Sequence, residues 1–325
     1  GHMRALICSE YSGIDSLRLG ELPDPEPKRG SALVRVEAAA VNFADTLIVS
    51  GQYQMRPDLP FAPGSEISGV VVDDGGIDGL AAGDRVCGFP GVGAMAELCS
   101  VPGPALMPIP DEMSFESAAT IPVAYGTSYH ALVDRARLQP GETLLVLGAS
   151  GGGGLAAVQI AKKIRATVLA AVSSPEKAEI ATENGADVVI RYDEVPIRDG
   201  IDAATGGSGV DVVYDPVGGE ITEQVLRSTK WNGRLLVIGF ASGSIPSIPL
   251  NLPLVKGNSI VGVFWGRHFS EDPEAEAANF EVIMEWVRDG ALRPHVQKTF
   301  SLDDSIEALR WVADRKAIGR VVVTR

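Results

Sequence analysis

The sequence predicts an α/β fold: a doubly wound parallel sheet of six strands joined to a second, barrel-like β domain built mainly from the front of the chain. Three observations predict it. Apolar runs of strand length alternate with helical stretches through the middle of the chain, Gly and Pro cut the region before it into short β-type runs, and a glycine-rich turn separates the first middle strand from its helix.

The turn organises the rest. Thr143-Leu144-Leu145-Val146-Leu147 is an apolar strand, Gly148-Ala149-Ser150-Gly151-Gly152-Gly153-Gly154 is a run of small residues, and Leu155, Val158, Ala161 and Ile164 recur at helical spacing. Glycines at such a junction let backbone approach a phosphate, and the free amides and positive end of the following helix favour an anion. The spacing Gly148-x-x-Gly151-x-x-Gly154 overlaps two Gly-x-Gly-x-x-Ala registers, so the pattern alone is not decisive. A flexible linker is the plain alternative, but linkers are not flanked by a buried strand and an amphipathic helix.

With 325 residues the chain can bury two cores. Gly1-His2-Met3 has the form of a cleaved tag, and Gly1 and His2 carry no argument. The hydrophobic share of 45% with 6% aromatic residues suits an ordinary α/β protein. No apolar run reaches the roughly 20 residues a membrane helix needs, and no leader follows Met3, so no membrane partner and a cytoplasmic location are expected. The net charge of -14 argues against nucleic acid as a partner. Cys8, Cys87 and Cys99 are odd in number, lack metal-like spacing and read as reduced thiols. His130, His268 and His295 form no recognised zinc cluster, and His130 reads as structural.

Along the chain, short β runs are expected at residues 5–8, 32–38, 68–72 and 84–87, broken by turns in the manner of an antiparallel barrel. Ser114 should cap a helix. After the glycine turn, further strands are expected at residues 167–172, 188–192, 210–214, 234–238 and 259–264, with helices at 175–184 and 220–229. Past Phe264 come two amphipathic helices, 273–289 and 303–316, and a closing strand, 319–324. The simplest arrangement returns this tail to the first domain.

In a doubly wound fold the second strand ends beside the adenosine ribose, where an acid would favour NAD. Here it ends Ala171-Val172-Ser173-Ser174, with no acid before Glu176. Ser173, Ser174 and Lys177 stand where a 2'-phosphate would lie, and Arg191-Tyr192 at the next strand end adds a cation and a phenol. NADPH is therefore expected over NADH, with Lys177 as a solvated helix residue the alternative.

Seven segments carry a resemblance: Val41-Asn42-Phe43-Ala44-Asp45, Ser50-Gly51-Gln52-Tyr53, Pro63-Gly64-Ser65-Glu66, Gly83-Asp84-Arg85-Val86, Ala118-Ala119-Thr120-Ile121-Pro122, Gly148 to Gly154, and Asp215-Pro216-Val217-Gly218-Gly219. In this order, across essentially the whole chain, they resemble the zinc-independent quinone oxidoreductases of the medium-chain dehydrogenase/reductase superfamily. The resemblance implies a discontinuous GroES-like β-barrel catalytic domain over residues 3–123 and 265–325, and a Rossmann NADPH-binding domain over 124–264. Zinc-dependent members carry a cysteine ligand near Asn42 and a histidine where Ser65 stands, and the four-cysteine structural lobe is missing here, so no metal is expected. Two departures stand out. Arg165 follows the glycine-turn helix where the family usually has Gly, so the left-handed cap should be lost or adjusted. Leu47 replaces a Tyr found in several quinone reductases.

Without a Lewis acid, such a reductase must place the nicotinamide against an electrophilic acceptor and meet the developing oxygen charge with donors. The resemblance implies Tyr53 as proton donor and Asn42 as a group orienting a carbonyl or the nicotinamide ribose. The plain alternatives are a loop aromatic packed on the barrel and a turn residue. Thr127 resembles the Thr beside the nicotinamide, with a helix N-terminal hydroxyl as its alternative. Gly239 and Phe240, with Val263-Phe264-Trp265-Gly266, should wall the pocket at the ends of the fifth and sixth strands, or else serve a dimer interface. Asn251 and Arg320 approach the cofactor in relatives.

The sequence thus points to an NADPH-dependent reductase of quinones or related conjugated carbonyls, homodimeric through the edge strand of the Rossmann sheet. Its rivals are a 2-enoyl or acryloyl thioester or 2-alkenal reductase, and a crystallin-like protein that binds NADPH without turnover.

Overall fold

Turn residues at short intervals break the front of the chain into seven strands in the computed structural model, which describes residues 1–325. They are β1 (His2–Ile7), β2 (Arg18–Pro23), β3 (Ser31–Val41), β4 (Glu66–Asp73), β5 (Arg85–Gly88), β6 (Leu98–Pro102) and β7 (Leu106–Pro108). β1 and β2 form an antiparallel pair, while β3 pairs antiparallel with both β4 and β6. Alternation along β3 buries Val34, Val36, Ala38 and Ala40. Helix α1 (Phe43–Val49) follows β3 directly, and α2 (Phe115–Ala119) is capped by Ser114, whose Oγ accepts the Ser117 amide at 3.1 Å.

The second unit runs from Ala124 to Glu271 and takes in Trp286–Arg293. Helix α3 (Ile121–Tyr129) widens into a π-helical turn, His130–Arg135. The sheet then follows: β8 (Thr143–Leu147), α4 (Gly152–Ile164), β9 (Thr167–Val172), α5 (Pro175–Glu183), β10 (Val188–Arg191), α6 (Ile197–Thr205), β11 (Val210–Asp215), α7 (Glu220–Arg227), β12 (Thr229–Val237), α8 (Asn251–Lys256) and β13 (Ser259–Gly262). All pairings are parallel, in the order β10-β9-β8-β11-β12-β13. Leu144, Leu145, Val146 and Leu147 are wholly buried, as both-face coverage demands. The order reverses between β8 and β11, and the carboxyl ends of those strands make the crevice where such sheets bind ligands.

The second unit extends past Phe264, where the sequence placed the boundary. Helix α9 (Trp265–Glu271) stays with it because the Trp265 indole lies on Gly126 of α3, so close that a Cβ there would stand 2.6 Å from the ring. The end of α10 (Pro273–Arg288) also returns to this unit. There Trp286 meets the Tyr129 ring at 5.6 Å, and the Gln159 amide bonds the backbone of Arg293 through both its oxygen (2.9 Å) and its nitrogen (2.7 Å).

The tail completes the first unit with β14 (Val296–Ser301), α11 (Ser305–Ala313) and β15 (Arg320–Thr324). β15 enters antiparallel to β3, giving the order β14-β15-β3-β4-β5-β7 with β6 also on β3. β14 runs parallel to β15 because α11 crosses between them, so the barrel is not wholly antiparallel.

At the C-terminus of α4 the left-handed cap survives without glycine. Arg165 adopts φ 72° and ψ 35°, and its amide reaches the carbonyls of Ala161 and Lys162. A residue with a Cβ pays roughly 1–2 kcal/mol for this conformation. Arg165→Gly is therefore expected to stabilise the protein by about 1 kcal/mol, read as a rise in thermal or urea midpoint; an unchanged or lowered midpoint contradicts the cap assignment.

Candidate functional site

The glycine turn brings α4 hard against the end of β8. A Cβ on Gly154 would lie 2.2 Å from the Gly148 carbonyl oxygen, so only glycine permits this approach. Gly151 donates to the Gly148 carbonyl at 3.0 Å and stands at the N-cap of α4 with no side chain capping the first turn. The turn thus presents Gly152, Gly153 and Gly154 at the positive end of a helix 13 residues long, with Ser150 just before it. Backbone donors at a topological switch point are a donor set that suits a pyrophosphate.

A second contact, not anticipated from the sequence, steadies this turn. Ser128 Oγ donates to the Gly153 carbonyl at 2.9 Å, which leaves Tyr214 as the donor in its 2.9 Å bond to Ser128 Oγ. Both side chains are buried, and burial pushes the Tyr214 phenol up to about 12, so it stays protonated. Thr127, one residue before Ser128, lies inside α3 rather than at a helix start and is half-buried.

At the end of β9, Ser174 caps α5 by accepting the Lys177 amide at 3.2 Å, and Lys177 Nζ donates to Ser173 Oγ at 3.1 Å. Ser173, Ser174 and Lys177 are therefore one group, with no carboxylate bonded to the ammonium. Tyr192 is exposed at the end of β10. Arg191 is not available in the same way: its guanidinium is held by Asp193 at 2.6 and 2.9 Å and by Glu194 at 3.3 Å.

Beyond β12 and β13, Gly239 is half-buried and Phe240 and Phe264 are 41% and 53% exposed, open to a ligand or a partner. Trp265 differs from the expectation that it lines a pocket: only 5% exposed, it is packing against Gly126 and the Phe269 ring. Asp215, in the Asp-Pro-Val-Gly-Gly segment, fixes the β11–α7 turn by accepting from the amides of Val217 and Gly218 and from Thr222 Oγ1. His130 gains a partner the sequence did not join to it. Its ring stacks on His268 at 3.9 Å and 12°, and both approach Asp134 Oδ2, at 2.7 and 3.9 Å. Lone pairs of parallel rings do not converge on one ion, so this is a carboxylate shared by two imidazoles rather than a metal cage.

In the first unit, the residues flanking β3, β4 and β15 form a buried polar cluster. Arg320 Nη2 donates to Glu66 Oε2 at 2.5 Å and to Asn42 Oδ1 at 3.0 Å, and Nη1 donates to the Thr120 carbonyl at 3.0 Å. Arg320 is therefore consumed here rather than free for a cofactor as the sequence suggested. Asn42 Nδ2 donates to Glu66 Oε2 at 2.8 Å, and Glu66 Oε1 accepts the Val123 amide at 2.9 Å. Asp45 closes the start of α1 by accepting the Asn42 amide at 2.8 Å. Tyr53, in the turn after α1, is half-buried, and its hydroxyl makes no hydrogen bond. Burial, then the Asp45 charge, raise its pKa, so it is a held proton. Glu66 and Asp45 were visible only as motif letters; no sequence spacing predicts their meeting with Arg320.

Burial pushes the Asp45 carboxyl up to about 7, opposed by the Asn42 amide, raised further by the Glu66 charge and lowered by Arg320. An acid that titrates near 4 in the unfolded chain but holds its proton in the fold makes stability fall as pH rises between those values, at about 1.4 kcal/mol per pH unit. Asp45→Asn keeps an oxygen for the Asn42 amide and removes the charge. Its thermal midpoint is expected to match the wild type near pH 4 and to exceed it increasingly up to pH 7; parallel profiles would refute the buried-acid assignment.

Comparison with known proteins agrees with this architecture. The alcohol dehydrogenase GroES-like domain family matches residues 28–111, and the zinc-binding dehydrogenase family matches 152–281. Mouse quinone oxidoreductase-like protein 2 is 40% identical over 99% of this chain and 92% of its own length. Rat quinone oxidoreductase is 32% identical over 94% of this chain and 92% of its own. A mycobacterial protein solved in complex with NADPH has a TM-score of 0.91 and 31% identity, covering 99% of this chain and all of that one. With a GroES-like barrel, a parallel six-stranded sheet and relatives matched along nearly its whole length, the chain is an oxidoreductase of the quinone oxidoreductase family, in the medium-chain dehydrogenase/reductase superfamily.

Proposed function

We propose that the protein is an NADPH-dependent, zinc-independent reductase of quinones or related conjugated carbonyls. The observation that carries the reading is the Ser173, Ser174 and Lys177 group at the end of β9, where hydroxyls and an ammonium replace the acid that would select NAD. The NADPH-bound mycobacterial relative supports the same choice.

When bound, NADPH supplies a hydride from its nicotinamide ring. Ser150 and the amides of Gly152 to Gly154 take the pyrophosphate, and Ser173, Ser174, Lys177 and Tyr192 take the 2'-phosphate. Thr127, Gly239, Phe240 and Phe264 border the nicotinamide end. Asn42 contacts the acceptor and Tyr53 delivers its proton. The donor set around Asn42 suits no zinc ion: its amide and the Glu66 carboxylate are both spent on a buried guanidinium, which repels a dication, and no thiolate or imidazole is bonded to them.

The uncommitted, protonated Tyr53 hydroxyl also favours a second reading, reduction of a 2-enoyl thioester or 2-alkenal, whose product carbon needs a proton that a quinone can take from water. Rates with 1,4-benzoquinone, 9,10-phenanthrenequinone, a 2-alkenal and crotonyl-CoA decide between them. A thousandfold preference for the thioester removes the quinone assignment, and tight NADPH binding without oxidation by any acceptor points to a crystallin-like, non-catalytic role.

For the cofactor, Lys177→Ala is expected to raise the NADPH dissociation constant about tenfold, roughly 1.4 kcal/mol, while leaving NADH within twofold. Equal loss for both would reduce Lys177 to a helix support. A homodimer is part of the same proposal. β13 is the edge of its sheet, and Ile260 on it, with Ile245, Leu250, Leu254 and Val255 nearby in sequence, are exposed apolar side chains. Val255→Glu together with Leu254→Glu is expected to halve the mass seen by light scattering; an unchanged mass places the interface elsewhere.

A further inference from the structure

The Asn42 amide is held between two opposite charges, which settles a question that amide side chains usually leave open. Its oxygen accepts from Arg320 Nη2 at 3.0 Å and its nitrogen donates to Glu66 Oε2 at 2.8 Å. Turning the amide over would set its NH2 against a guanidinium and its oxygen against a carboxylate, two repulsive contacts in place of two bonds. The charges cannot move aside. Glu66 is wholly buried and its other oxygen is bound to the Val123 amide, while Arg320 is 6% exposed and also tied to the Thr120 carbonyl.

An amide has two N–H donors, and Glu66 takes one of those on Asn42. The second hydrogen has no partner in the structure, although Asn42 is only half-buried. Both charged neighbours favour the charge-separated form of the amide, so hydrogen bonding at one end strengthens the donor left at the other. The oxygen faces the buried guanidinium.

We propose that Glu66 and Arg320 are positioning residues that fix the polarity of Asn42, so that Asn42 meets the acceptor only as a hydrogen-bond donor, to its carbonyl oxygen. This rests on the reductase reading given above and adds a selection rule to it. Acceptors must offer a bare oxygen at this point, and the donor strengthens its hold as negative charge grows there during reduction.

Three variants and one spectroscopic readout test it. Asn42→Asp keeps an oxygen for Arg320 and loses the donor; Asn42→Ser keeps a short hydroxyl donor. Glu66→Gln, with its oxygen retained by the Val123 amide, turns an NH2 toward Asn42 and destroys the lock. With NADPH and 9,10-phenanthrenequinone, Asn42→Asp is expected to lose 10- to 100-fold in kcat/KM while its NADPH dissociation constant stays within twofold. Asn42→Ser should recover part of that loss, and Glu66→Gln should fall mainly in kcat.

In 15N–1H spectra, the side-chain amide pair missing from Asn42→Asp identifies Asn42. Adding 9,10-phenanthrenequinone to the NADP+ complex should shift one proton of the pair and leave the Glu66-bound proton in place. A wild-type rate in Asn42→Asp, or an amide pair unmoved by the quinone, overturns the proposal. A wild type that oxidises no NADPH overturns the reductase reading instead, and the amide titration still decides the polarity of Asn42.

Discussion

A buried charge needs a countercharge, and in the first unit that requirement ties distant parts of the chain together. Glu66 and Arg320 are 254 positions apart in sequence and 2.5 Å apart in space. Breaking such a pair typically costs about 3–5 kcal/mol, because the survivor is left uncompensated. The pair therefore fixes β15 relative to β4, and through Asn42 it fixes the start of α1. The closure of the barrel and the orientation of the Asn42 amide are met by the same two side chains.

The second unit rests on a steric constraint rather than an electrostatic one. The approach of Gly154 to the Gly148 carbonyl sets how closely α4 abuts β8, and hence where the first-turn amides point. The Tyr214–Ser128–Gly153 chain carries that placement to α3, whose Gly126 accepts the Trp265 ring and whose Thr127 lies between. The first-turn amides of α4 and the middle of α3 are thereby positioned by one continuous set of contacts.

The parallel strands were legible in the sequence because strands covered on both faces read as unbroken apolar runs; β8 and β9 fall where those runs lie. β12 begins earlier than expected, since Thr229-Lys230-Trp231-Asn232-Gly233 is too polar to announce a strand, and β14 was missed because Val296 to Ser301 is partly exposed and mixed in character. Much of the glycine turn and the Ser173–Lys177 group was also legible, since both are local. Arg191 misled for a reason present in the sequence: Asp193, two residues on, captures it. The Asn42–Glu66–Arg320 cluster was not legible as a unit, because only the folded sheet brings its members together, and Trp265 looked like a pocket wall until Gly126 was seen to admit it.

The place of β15 in its sheet has a consequence for biosynthesis. It lies between β14 and β3, yet it is translated long after β3 has left the ribosome. Throughout that interval a nascent chain carries β3 uncovered from Ala38 to Val41, beyond the stretch that β6 pairs, and Glu66 without its cation, an invitation to strand addition by neighbouring polypeptides. The strands of the Rossmann sheet are contiguous in sequence, and their unit is complete once Trp286 to Arg293 has followed. The barrel must wait, and chaperone dependence in this protein should therefore be concentrated on its first hundred residues, roughly.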